Sequence, residues 1–196
     1  MKYKNIVFDF GNVLATFQYK PILEKCGLKE DDMDILTKAF FHNWDSIDAG
    51  TTEYNKYMDD AKKMVPERLV PVVETLAENW HTYMDPLTDT WDLIHDLKKK
   101  GYKLYILSNA PTFFAEHASY FEITKEFDGI IFSAPLKMAK PGPDIYNYLL
   151  KTYNLNPKEC LFTDDRISNI EAGRQLGMDG IIFKDDTVKE LRELLL

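Results

Sequence analysis

The chain has 196 residues, enough for one substantial core or for a core plus a small insert. Apolar residues make up 45% and charged residues 29%, an ordinary balance for a globular protein, and a net charge of −8 without a basic stripe argues against nucleic acid as a partner. No stretch approaches the roughly 18 uninterrupted apolar residues of a membrane span. Cys26 and Cys160 form neither a ligand-spaced pair nor a disulfide framework, so a reducing cytoplasm is the expected compartment.

Asn5 to Phe8 is apolar and β-rich, as a strand buried on both faces would be. The run stops at Asp9, and Gly11 follows two residues later. Residues 16–86 then carry no strand pattern. Helices are expected from Pro21 to Cys26, Lys29 to Phe41, after Thr51-Thr52-Glu53, and from Pro66 to Trp80, with a turn at Asp48-Ala49-Gly50. The segment reads as a small helical cap inserted into a core made of residues 1–15 and 87–196.

From Leu87 onward helices and strands alternate. Leu87, Trp91, Ile94 and Leu97 fall at helical spacing, and Tyr102 to Leu107 is the next strand. A helix from Thr112 to Tyr120 leads to a strand at Gly129 to Phe132. Lys140-Pro141-Gly142-Pro143 opens a helix carrying Ile145, Leu149 and Leu150. Cys160-Leu161-Phe162 is a strand ending at Thr163-Asp164-Asp165, a helix runs from Ser168 to Leu176, and Gly180 to Phe183 and Val188 to Leu195 are the last strand and helix. The alternation implies an α/β fold with a doubly wound parallel sheet.

In a parallel sheet all strand C-termini lie on one edge. Asp9, Ser108 with Asn109, Lys140, and Asp164 with Asp165 can therefore converge although they are far apart in sequence. A carboxylate attacking a phosphorus anion is repelled by it, and a shared divalent cation removes that obstacle. Asp9 and Asp165 can hold such an ion, with Asp164 as a further ligand or an orienter of bound water and Gly11 offering its carbonyl. An all-oxygen shell fits Mg²⁺. Ser108 and Asn109 offer donors to phosphoryl oxygens, and Lys140 a positive charge. Trp44, Asp45, Asp48 and Gly50 lie near the expected mouth of the cap, and His42 is a speculative cap donor. Asn169 is expected to orient Asp165 or Lys140, and Arg166 to partner the acidic pair.

The set Asp9-Phe10-Gly11-Asn12-Val13-Leu14, Leu107-Ser108-Asn109, Lys140-Pro141-Gly142-Pro143-Asp144-Ile145-Tyr146 and Phe162-Thr163-Asp164-Asp165 with Asn169 resembles the haloacid dehalogenase-like hydrolase superfamily. The resemblance covers nearly the full chain. It implies a Rossmann-like core with a helical cap, Asp9 as a nucleophile that forms an aspartyl-phosphate, Mg²⁺ as cofactor, and a small phosphate ester as substrate. One departure is plain. Phosphatases of this family usually carry a second Asp two residues after the nucleophile, as general acid and then base, and here that position is Gly11. A subgroup with the same Asp-x-Gly-Asn/Gly-Val pattern includes active sugar-phosphate phosphatases, α-D-glucose-1-phosphate phosphatase among them. The expectation is a sugar-phosphate phosphatase whose acid comes from the cap or from water. A catalytically impaired ligand-binding protein is the alternative. A dehalogenase ranks below both, because that branch replaces the acidic pair retained here.

Overall fold

The computed structural model describes residues 2–196. Five strands form one parallel sheet: β1 (Asn5–Phe8), β2 (Lys103–Ser108), β3 (Gly129–Phe132), β4 (Cys160–Asp164) and β5 (Asp179–Ile182). Their order is β3-β2-β1-β4-β5. The chain winds outward from β1 to β3, then crosses back to β4 on the other side of β1. The reversal falls between β1 and β4, the place where such sheets open a crevice. The register pairs Phe8 with Thr163, and the Asp9 N–H continues the ladder onto the Thr163 carbonyl at 2.9 Å. Asp9 and the acidic pair thus stand side by side at the C-terminal edge.

Successive side chains on a strand point to opposite faces, and the sheet divides its apolar residues accordingly. Ile6, Phe8, Leu104, Ile106 and Leu161 enter one core, and Val7, Tyr105, Leu107, Cys160 and Phe162 the other. α6 (Thr88–Lys99) and α11 (Thr187–Leu195) contribute to the first core through Leu93, Leu97 and Leu191. α9 (Pro143–Thr152) and α10 (Ile167–Gln175) contribute to the second through Ile145, Tyr146, Leu149 and Ile170. Two short helices, α7 (Thr112–His117) and α8 (Ser133–Leu136), follow β2 and β3. The sequence reads Ser133-Ala134-Pro135 only as a strand stop. The doubly wound sheet is the expected one.

The insert holds α1 (Tyr19–Glu24), α2 (Glu30–Phe40), α3 (Trp44–Asp48), α4 (Tyr54–Lys63) and α5 (Val70–Asn79). The expected helix from Pro66 to Trp80 is broken into a 3-10 turn at Glu67–Leu69, then α5, then a second 3-10 turn at Trp80–Tyr83. α3 is a short helix that sequence patterning does not announce, and it runs into the expected turn at Asp48-Ala49-Gly50. Three acidic residues open α2 and Lys38 closes it, each suiting its end of the helix dipole. The two crossings between insert and core lie together: Thr16 N–H donates to the Asp85 carbonyl at 2.8 Å, and Leu87 N–H to that of Leu14 at 3.0 Å.

The insert shares its apolar cluster with the sheet. Trp44 meets Trp80 at 5.1 Å between ring centroids, Trp80 stacks on Phe114 at 5.5 Å, and Phe114 meets Phe10 at 4.9 Å. This aromatic series runs from α3 to the residue after Asp9. Among the described residues, no helix is long and apolar enough to cross a membrane.

Candidate active site

A cleft opens over the β1–β4 edge. Asp9, Gly11, Ser108, Asn109, Lys140 and Asp165 all border it, so residues from four separate segments meet as parallel strand ends require. Lys140 sits at the centre, with its side chain 1% exposed. Its Nζ lies 2.8 Å from Asp9 Oδ1 and 2.6 Å from Asp164 Oδ2, and it donates to the Leu107 carbonyl at 2.8 Å. Burial works against the charged amine, but Asp9 and Asp164 together outweigh it and hold the pKa above its ordinary value. Lys140 therefore stays cationic.

The two aspartates of the acidic pair do different things. Asp164 is fully buried and saturated with donors. Its Oδ1 accepts from Arg166 N–H at 2.8 Å and Asn169 Nδ2 at 2.9 Å, and its Oδ2 from Lys140 Nζ and from Asn169 Nδ2 at 3.1 Å. These contacts use most of a carboxylate's acceptor sites. Asn169 thus orients Asp164, not Asp165 or Lys140 as sequence spacing suggests. Arg166 reaches the pair through its backbone N–H. Asp165 is half-buried and accepts from Asn12 Nδ2 at 3.0 Å.

One oxygen from each of Asp9, Asp164 and Asp165 lies within 4.8 Å of the others, a spacing that a single cation can bridge. Asp9 Oδ1 is buried with the Lys140 amine as its partner at 2.8 Å. Three carboxylates converging on one point carry more negative charge than a single lysine offsets, so the donor set fits a hard divalent ion. Burial pushes the Asp9 carboxyl up to about 6, with Asp164 adding repulsion while Lys140 and the Ser108 hydroxyl oppose it.

Asn109 does something the sequence does not reveal. Its Nδ2 donates to the Lys140 carbonyl and its Oδ1 accepts from the Lys140 N–H, both at 2.8 Å. This clasp fixes the lysine's backbone and uses one of the two Nδ2 hydrogens. Asn12 is also unforeseen. It holds a left-handed φ of 56°, which asparagine tolerates better than most residues, and its Oδ1 accepts from Phe17 N–H at 2.8 Å. The same side chain thus joins the start of the insert to Asp165.

The insert supplies the roof through Phe17, Tyr19, Trp44, Asp45, Asp48 and Trp80. Asp48 Oδ1 is buried and unpartnered. Burial, then repulsion from Asp45 and Asp9, pushes the Asp48 carboxyl up to about 8 against the pull of Arg166 and Lys140. His42 lies outside the cleft: it is exposed, stacks on Tyr57 and contacts the Ala39 carbonyl. His81 is buried among Phe113, His117 and Tyr120 with Nδ1 unpaired.

The family model for haloacid dehalogenase-like hydrolases matches residues 3–177. The chain belongs to that family. Among curated relatives of this hydrolase, a sesquiterpene phosphatase of Aspergillus oryzae is 30% identical, over 98% of this chain and 97% of the relative. A D-ribitol-5-phosphate phosphatase of Bacteroides thetaiotaomicron is 27% identical, over 90% and 89%. A HAD-family enzyme from Bacteroides thetaiotaomicron, solved with magnesium and inorganic phosphate, superposes with a TM-score of 0.67 at 21% identity, covering 93% of this chain and 94% of that one. The last likeness speaks to the fold alone.

Proposed function

We propose that this hydrolase is a Mg²⁺-dependent phosphatase that cleaves a small phosphomonoester through an aspartyl-phosphate on Asp9. The observation that carries the reading is the buried Lys140 between Asp9 and Asp164, with Asp165 beside them at the mouth of a cleft. Asp9, Asp165 and the Gly11 carbonyl would hold Mg²⁺, with Asp164 nearby. When bound, the ion neutralises charge shared between the carboxylates and the phosphoryl oxygens. Asp9 attacks phosphorus in line with the leaving oxygen. Lys140 offsets the negative charge of the transition state, and Ser108 and the free Asn109 hydrogen orient phosphoryl oxygens. Asp164 and Asn169 act on Lys140 by holding its amine in place.

The substrate we favour is a sugar or polyol phosphate, in keeping with the ribitol-phosphate relative and with the polar groups Asn12, Asp45 and Arg166 around the cleft. A second reading, the phosphate of an apolar alcohol, draws support from the aromatic roof of Phe17, Trp44 and Trp80 and from the sesquiterpene phosphatase relative. The retained acidic pair speaks against halide displacement, which needs no metal. Cytoplasmic residence is part of the same proposal.

The test is phosphate release from a panel of sugar, polyol and prenyl monophosphates with Mg²⁺, using Asp9→Asn as the blank. Turnover of at least one member by the wild type alone is expected. Equal release by the wild type and Asp9→Asn would refute the nucleophile.

A further inference from the structure

Gly11 leaves the position two residues beyond Asp9 without a carboxyl. Phe17 packs beside it: a Cβ on Gly11 would meet Phe17 Cβ at 3.4 Å, an ordinary contact. Resting on the phosphatase reading, the chemistry still needs a proton for the departing ester oxygen. Around the cleft, Arg166 never gives up its proton, burial raises the phenol of Tyr19 above its ordinary value, and Asp45 is exposed. Asp48 is the remaining ionisable group not tied to Lys140 or to the metal site.

We propose that Asp48, carried into the cleft by the insert, is the general acid and then the general base of this enzyme. Its position is set by backbone contacts with the core. The Ser133 hydroxyl donates to the Asp48 carbonyl and accepts from Ala110 N–H at 2.9 Å, two residues after Ser108. Gly50, at φ 66°, lies so close to α8 that a Cβ there would sit 2.3 Å from the Ala134 carbonyl oxygen. Only glycine allows that approach. The turn after α3 is thus docked on α8, which Ser133 ties in turn to the loop that follows β2, and the carboxyl is left pointing into the cleft with one oxygen unpaired.

The surroundings suit the task. Asp45 from the same helix and Asp9 just beyond β1 repel a charge on Asp48, and Arg166 and Lys140 attract one. Tyr19 and Tyr57 face it from the insert as neutral phenols. The net result is a carboxyl that holds its proton at neutral pH, as a general acid must. In the first half-reaction Asp9 forms its bond to phosphorus as the ester P–O bond breaks. The proton of Asp48 passes to the leaving oxygen, releasing an alcohol. In the second, the Asp48 carboxylate takes a proton from water as the water oxygen attacks phosphorus. The Asp9–phosphorus bond breaks, phosphate leaves, and both aspartates return to their starting forms.

The experiment compares wild type and Asp48→Asn on two esters with Mg²⁺: p-nitrophenyl phosphate, whose leaving group needs little protonation, and glycerol 2-phosphate, whose leaving group needs it fully. For Asp48→Asn, kcat/KM on glycerol 2-phosphate should fall by about 10²–10⁴-fold, with that on p-nitrophenyl phosphate nearly unchanged. Rapid mixing with p-nitrophenyl phosphate should give a burst of one nitrophenol per enzyme followed by slow turnover, because the base for the second step is gone. The wild-type decline of kcat/KM on glycerol 2-phosphate at alkaline pH should vanish in the variant. Equal losses on both esters, or no loss on either, would overturn the assignment of Asp48. Folded wild type that hydrolyses neither ester, nor any member of the monophosphate panel, would remove the phosphatase reading itself and this inference with it.

Discussion

Replacing Asp48 by Asn should make the protein more stable at alkaline pH and leave it unchanged in acid. The carboxyl is raised in the folded chain, so between its ordinary value and its folded value the native state holds a proton that the unfolded state has released. Stability then falls as pH rises through that window. The span from 3.8 to about 8, at about 1.36 kcal/mol per pH unit, sets a ceiling of about 6 kcal/mol on the penalty. Water entering the cleft lowers it, and relief of such a penalty at an active site commonly gives about 0.5–2 kcal/mol. A neutral amide and a protonated carboxyl have nearly the same shape, so the difference isolates the cost of the charge. Asp9 is present in both proteins, so what remains of it in the difference is its repulsion of the Asp48 charge, which has the same sign. Urea unfolding with a chelator at pH 5, 7 and 9, followed by circular dichroism, should show the variant's advantage growing at each step. An advantage that does not change with pH would refute the reasoning.

Lys140→Met leaves the Asp9 and Asp164 carboxylates without their cation, so metal-free stability should drop by about 3–5 kcal/mol in urea unfolding. Mg²⁺ should restore more stability to this variant than to wild type. Gly50→Ala puts a methyl group into the Ala134 carbonyl at a left-handed φ, so stability should fall by more than about 1 kcal/mol, read as a lower thermal midpoint. Its turnover of glycerol 2-phosphate should fall more than that of p-nitrophenyl phosphate. Chelation should stop turnover and added Mg²⁺ restore it. Asp165→Asn should raise the Mg²⁺ concentration needed for half-maximal rate, read by titration.

The sheet and its edge were legible because a parallel α/β chain obeys one strong rule: whatever follows each strand meets at one side. That rule brings Asp9, Ser108, Lys140 and Asp165 to the cleft without knowledge of a single contact. Second-rank geometry was hidden. Asn169 lies four residues after Asp165 and five after Asp164, and either spacing is possible at the start of a helix. The choice depends on Asp164 ending β4 with its side chain inward. Asn109 reads as a donor to phosphate because nothing in Leu107-Ser108-Asn109 shows the Lys140 backbone running past it. α3 was missed because its five residues form less than two turns and run straight into the turn signalled by Asp48-Ala49-Gly50. The docking of that turn on Ser133 and Ala134 joins residues about 85 positions apart, a pairing no local pattern announces.

The aromatic series between insert and sheet also gives the protein an optical reporter of its own. Trp44 and Trp80, two of the chain's three tryptophans, border the cleft, whereas Trp91 is held away from it by its bond to the Leu14 carbonyl. Light absorbed by indole is re-emitted from the walls that a ligand touches, so phosphate or Mg²⁺ entering the cleft changes emission without a dye or a tag. Trp44→Phe and Trp80→Phe separate the two signals, one from α3 beside Asp48 and one from the ring stacked on Phe114.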